Sequence, residues 1–405
     1  MKKGLLFMLV FTLTLNSFSQ TSKEYFDKGN AAFSQKDYNG AIGYFTKAIS
    51  VDPRYAEAYY NRGIAKNWLS DNSGAIADFT KAVEINPGYA DAYYNRAVVK
   101  GYTRDIGGSI DDYTRAIQIN PKLKEAYYYR GIAKGYLPDN NGAILDFTIV
   151  IEIDSLFSEA YLYRGIAKSN IQDNTGALAD LTRAIVINPK LAKAYYSRGV
   201  VNGLIQKIDD ALADYSKAIE IDSSYLEAYY NRGIARVNLR NFKEAIVDLT
   251  RVIELNPKFA NAYYNRGIAK GNLQDYSGAI EDLTKTVEID PGNSEAFCSR
   301  GIIKGLMNDL NGSLADFTTA VEINPKYAYA YYSRGIVKGF LRDVSGSVDD
   351  YTKAIELYPN YPEAFYNRGL AKYNLGQKDG CCADLRKAKE LGLAAAGEAI
   401  QLYCR

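Results

Sequence analysis

Apolar residues recur along this chain at helical spacing, in paired runs. Each pair is split by a short polar stretch such as Ser70-Asp71-Asn72-Ser73-Gly74, and the second run closes at Asn-Pro or Asp-Pro. The pattern predicts two helices folded back on each other. Proline at Pro53, Pro87, Pro121, Pro189, Pro257, Pro291, Pro325 and Pro359 stops the second helix, because it lacks an amide proton and clashes with the preceding turn. The unit repeats every 34 residues, as the segments beginning at Tyr55, Tyr89, Tyr225, Phe259 and Tyr361 show. Eleven copies run over residues 21–394 without insertion or deletion, and residues 395–405 remain as a tail.

In the second copy Tyr59, Arg62, Gly63 and Lys66, then Ala75 and Phe79, then Pro87 fall at fixed spacing. This resembles the tetratricopeptide repeat pattern, Trp-x2-Leu-Gly-x2-Tyr followed by Ala-x3-Phe and Pro. The resemblance implies an all-α, right-handed superhelical solenoid whose first helices line a concave face. No copy can bury its apolar surface alone, so stability comes from neighbour contacts and the ends need capping. Residues 395–405, with Ala399, Ile400 and Leu402, are expected to form a capping helix. The first-helix aromatics from Tyr59 to Phe365 are expected in the core, and the small residues from Ala75 to Ala279 where two helices approach closely.

The chain departs from the family pattern at two positions. The family leucine is arginine in ten copies, from Arg62 to Arg368, and the second tyrosine is usually lysine. A buried arginine without a partner is too costly to repeat. Sixteen residues after each stands an aspartate, Asp78 through Asp384, which a hairpin turn would bring level with it. The first copy carries Lys28 and Tyr44 at these positions and so lacks both members. The pairs are therefore expected to be structural.

Composition narrows the function. The chain has 405 residues and no histidine, which removes His-based acid–base and nucleophile chemistry and the commonest zinc ligand. No Gly-rich phosphate loop is present, and every regular acid has a structural reading, so no catalytic residue, metal or cofactor is expected and the chain is read as no enzyme. Residues 1–19 read as a signal peptide: Lys2 and Lys3, an apolar run from Leu5 to Leu15, and small Ser17 and Ser19. Export to the periplasm or beyond is expected, with no transmembrane segment in the mature chain. Losing Lys2 and Lys3 leaves basic and acidic residues balanced, which offers nothing to nucleic acid. Cys298 stands alone, while Cys382 and Cys404 would staple the tail if they meet.

Family geometry implies that the residue after the core aromatic faces the groove. That position holds Tyr60, Tyr94, Tyr128, Tyr196, Tyr230, Tyr264, Tyr332 and Tyr366. The alternative is that these rings pack sideways on neighbouring first helices with their hydroxyls wet. The next position carries Asn61, Asn95, Asn231, Asn265 and Asn367, whose amides can bond one peptide unit without reading its side chain. This resembles the asparagine ladder in the repeat domain of the O-linked N-acetylglucosamine transferases. Tyr129 and Tyr163 interrupt it, so two gripping segments are expected. The carboxylate clamp of chaperone-binding members is largely absent, since Phe26, Asp91 and Asn95 stand where its cations belong.

Glu57, Asp91, Glu125, Glu159, Glu227, Glu295 and Glu363 begin first helices, where the helix dipole favours an acid whatever the ligand. Glycines near the first-helix ends, including Gly101, Gly135, Gly271, Gly305 and Gly339, serve either close packing or ligand approach. The expected function is a non-enzymatic scaffold holding an extended peptide or partner protein in a Tyr/Asn-lined groove. The alternative partner is a polysaccharide on the tyrosine ladder.

Overall fold

The structure, a computed structural model, describes residues 21–404. The expected signal over residues 1–19 lies outside the described residues. The described chain is all-α: helix α1 (residues 21–34), α2 (Tyr38–Val51), α3 (Ala56–Trp68), α4 (Asn72–Ile85), and so on in the same rhythm to α21 (Pro362–Asn374), α22 (Lys378–Glu390) and a last helix, α23 (Ala395–Tyr403). First and second helices alternate as eleven helix-turn-helix repeats, and α23 stands without a second helix. Two compact units divide the chain after Asp214. No helix among the described residues is long and apolar enough to cross a membrane.

The second repeat shows why the sequence turns where it does. Ser70 takes φ 62°, and the reversed chain lets Asp71 donate its amide to the Lys66 carbonyl at 2.9 Å, which closes α3. Asp71 then caps α4 by accepting from the Gly74 amide at 2.9 Å. A Cβ on Gly74 would fall 2.0 Å from that carboxylate, so the cap and the glycine belong together. The polar stretch 70–74 is thus the last residue of a turn, a cap and the opening of a helix. At the far end Asn86 accepts from the Gly88 amide at 3.0 Å, turning the chain toward the next repeat.

Small residues let the helices of a pair meet. A Cβ on Gly63 would stand 2.8 Å from the Phe79 ring, which is itself fully buried beside Ala75 and Val99. Tyr127 is buried as expected, but the other first-helix aromatics from Tyr59 to Phe365 are less enclosed. Tyr59 is half-buried with the Arg62 guanidinium 5.4 Å from its ring centroid, and the same stacking recurs from Arg96 on Tyr93 to Arg368 on Phe365.

All ten arginine–aspartate pairs form. Arg62 forks onto Asp78 with Nε and Nη2 at 2.8 and 2.7 Å, and the other nine repeat this arrangement. Two further partners were not foreseen. Lys66 Nζ reaches the other Asp78 oxygen at 2.8 Å, and Lys100, Lys134, Lys168, Arg236, Lys270, Lys304, Lys338 and Lys372 do the same in their repeats. Arg62 Nη1 also donates to Thr46, on the second helix of the preceding repeat, at 3.0 Å. Arg62 therefore ties its own helix, its partner helix and the previous repeat, and Arg96, Arg130, Arg164, Arg198, Arg232, Arg266, Arg300 and Arg368 make the same third bond. A buried carboxylate that accepts from two cations has both oxygens satisfied, which offsets the cost of taking it out of water.

The tail forms the expected short helix. Cys382 and Cys404 are joined by a disulfide, and Ala399 of α23 packs on Cys381 and Leu385. Cys382 occupies the position held by Ile76 and Val348 in their repeats, so a covalent bond stands where an aliphatic contact stands elsewhere.

Candidate functional site

The face made by successive first helices collects the residues expected to bind. The tyrosine rings are not a free ladder. Tyr60 lies 4.8 Å from Tyr89 and 5.8 Å from Phe79, centroid to centroid. Tyr94 packs on Tyr113, Tyr128 edge-on to Phe157, Tyr230 on Phe259, and Tyr332 between Tyr351 and Tyr361. Tyr366 leans on the Cys381–Leu385 cluster, and Tyr264 brings its hydroxyl 3.5 Å from Ser299. Tyr196 lines a cleft with Asn170 and Lys193. Tyr60, Tyr94, Tyr128, Tyr230 and Tyr332 therefore pack against neighbouring rings, and the Tyr60 and Tyr332 hydroxyls are bonded rather than left to water. Burial is the main cause that pushes the Tyr60 hydroxyl up to about 12, with the Asp91 carboxylate second, and burial raises Tyr94, Tyr128, Tyr230, Tyr264 and Tyr332 as well.

The asparagines are partly committed. Asn95 Nδ2 donates to the Tyr60 hydroxyl and to the Asp91 carbonyl, both at 2.9 Å, and Asn367 Nδ2 donates to the Tyr332 hydroxyl at 3.1 Å. Asn61 donates to Asn30 Oδ1 and Asn265 to the Asn261 carbonyl, each at 2.8 Å. Asn231 holds the equivalent place on α13 (Leu226–Asn238). These bonds use amide NH2 groups and leave amide oxygens as acceptors for a ligand N–H. A tyrosine of one repeat and an asparagine of the next thus form one polar unit, a coupling that the 35-residue separation could have revealed.

The glycines divide. A Cβ on Gly271 would meet Ile303 at 3.0 Å and one on Gly305 would meet Ser313 at 3.3 Å, so packing accounts for these. At Gly135 and Gly339 a Cβ would meet nothing within 4 Å, and both line clefts between neighbouring first helices. The cleft at Gly135 holds about 330 Å³.

Sequence reasoning overlooked the first-helix ends, where Trp68, Tyr102 and Tyr136 expose 63, 76 and 74% of their surface in three successive repeats. Trp68 stacks on Tyr38 at 5.6 Å. The signal was a large apolar residue closing a helix beside a polar turn. Cys298, in the tyrosine series, is buried, and that burial pushes its thiol up to about 11, which suits a packing residue rather than a nucleophile. Cys381, Cys382 and Cys404 bring three sulfurs within 4.8 Å of one another, but the disulfide leaves one thiol to offer a metal.

Family models described as tetratricopeptide or TPR repeat match residues 29–66, 56–89, 90–123, 204–239, 226–259, 260–293, 343–376 and 362–391, together more than half of the chain. The chain belongs to the tetratricopeptide repeat family. No curated protein matches the sequence. Among solved structures, it is similar to YrrB, described as a TPR protein with an unusual peptide-binding site, at 26% identity over 45% of this chain and 95% of that one, with a TM-score of 0.41. A tetratricopeptide repeat protein from Parabacteroides merdae matches at 19% identity over 61% and 99% of the two chains, with a TM-score of 0.46. The Cut9–Hcn1 assembly matches at 13% identity over 95% and 96%, with a TM-score of 0.48.

Proposed function

We propose that this chain is an exported, non-catalytic scaffold that holds an extended stretch of a partner protein along its first-helix face. The observation that carries this reading is the Tyr–Asn unit. Asn95 and Asn367 are each held by the tyrosine of the preceding repeat, which presents a preset amide oxygen to a ligand without ordering cost at the moment of binding. Such acceptors suit the N–H groups of an extended backbone, which every sequence shares.

The test is a capture experiment from cell-envelope extract with the mature chain beside a variant carrying alanine at Asn61, Asn95, Asn231 and Asn265. Protein held by the first and lost by the second supports the reading, and protein held equally by both would sink it. Export is tested by N-terminal sequencing of the mature product, which should begin near Gln20.

A second reading, a polysaccharide partner, is favoured by one observation: the stacked Trp68–Tyr38 pair, with Tyr102 and Tyr136 exposed at the same position in the next two repeats. Tyr60, Tyr94, Tyr128, Tyr230 and Tyr332 lie against neighbouring rings, whereas Tyr102 and Tyr136 expose 76 and 74% of their surface. Retention on a neutral glucan column that disappears in Trp68→Ala would favour that partner.

A further inference from the structure

Two departures from the repeat meet at one place. Where Glu57, Asp91, Glu125, Glu159, Glu227, Glu295 and Glu363 open their helices, α11 (Ala192–Leu204) carries Lys193. A cation in a first turn opposes the unpaired N–H groups there, so local stability does not explain the reversal. Where other repeats carry asparagine, α9 (Ser158–Asn170) carries Tyr163. Lys193 Nζ sits 4.7 Å from the Tyr163 ring centroid and donates to its hydroxyl at 3.2 Å. Among the described residues no carboxylate pairs with Lys193.

Both residues border the 330 Å³ cleft at Gly135, on α7 (Lys124–Tyr136). Its walls are apolar, from Ile132, Phe147 and Ile166, and its rim carries the Asn170–Asn140 amide bond of 3.1 Å. Gly135 has no packing partner that requires it, yet it gives up helix propensity, and any side chain there would enter the cleft. An apolar hollow with one cation and a few amides at its edge is the ordinary makeup of a specific binding pocket.

We infer that this cleft is the side-chain anchor of the groove. It takes one bulky apolar side chain of an extended peptide while a carboxylate on the adjacent residue meets Lys193. The inference rests on the peptide-binding reading and deepens it: the interruption of the asparagine series by Tyr163 is where sequence is read, and the amides to either side hold backbone.

The test uses the mature chain and four fluorescent peptides of Ser and Thr that differ only at a central pair, Leu-Asp, Ala-Asp, Leu-Asn or Leu-Lys, read by anisotropy. Leu-Asp should bind tightest, with each of the others weaker by about tenfold or more. Lys193→Glu, which restores the acid of the other repeats, should shift the preference to Leu-Lys while leaving the thermal midpoint unchanged or higher. Gly135→Leu, which fills open space, should erase the distinction between Leu and Ala. Equal binding of all four peptides, or a ranking that survives both substitutions, would overturn the anchor and leave the peptide-binding reading standing. Failure of any peptide to bind would remove both.

Discussion

The seam inside each hairpin and the face presented by the first helices obey opposite rules. In the seam, arginine, aspartate and a second donor recur in ten repeats, and the exceptions are substitutes: Arg236 for lysine, and Asn202, which donates to Asp214 at 3.0 Å. On the face, the same register holds Asn95, Tyr129, Tyr163 and Ser197 in successive repeats. A repeated buried charge is expensive to alter, because each partner removed strands another. A half-exposed face carries no such penalty and is free to differ where a ligand asks it to. Uniformity therefore marks the fold, and departure from it marks the places to look for binding.

Alkali tests the tyrosines of the face. Unfolded tyrosines ionise near pH 10, whereas burial holds the folded Tyr60 proton to about pH 12. The stability this contributes is intact below pH 10 and lost as pH rises toward 12. Far-UV circular dichroism and tyrosinate absorbance should report a shared unfolding transition between pH 10 and 12. Tyrosine ionisation complete by pH 10 with the helices intact would show that the rings are not held as described.

Within the seam, Arg232→Ala should cost about 3–5 kcal/mol, since it leaves Asp248 buried with one of its two cations gone. The double change with Asp248→Ala should cost less than the two single losses added, by about 1 kcal/mol or more. Urea unfolding of the four proteins measures the coupling, and strict additivity would mean the fork contributes no pairwise energy.

Two glycines four residues apart on α7 give the finest contrast. A Cβ on Gly131 would stand 2.9 Å from the Phe147 ring, so Gly131→Ala should lose about 1–3 kcal/mol through overpacking. Gly135→Ala meets open space and should be neutral or gain up to about 1 kcal/mol from helix propensity. Equal thermal shifts for both would refute the assignment of Gly135 to the cleft rather than the fold.

Much of this is legible in the sequence. The period placed the hairpins, and the sixteen-residue offset paired Arg62 with Asp78. The lysine four residues after each arginine was equally visible, but its flexible stem can point to solvent or to a carboxylate, and spacing alone does not choose. Tyr60 was harder still. Its register places it on the first-helix side, and whether its ring stands open or lies against Tyr89 depends on the neighbouring repeat.

By itself, then, the sequence determined the helices, their pairing and the charges that must meet inside each pair, because those follow from periodicity within one chain segment and from the cost of burying an unpaired ion. Only the tertiary structure decided which asparagine donors were already spent, which glycines opened clefts, and that Lys193 and Tyr163 come together over one hollow. Those outcomes depend on how side chains from different repeats share space, and no local pattern carries that information.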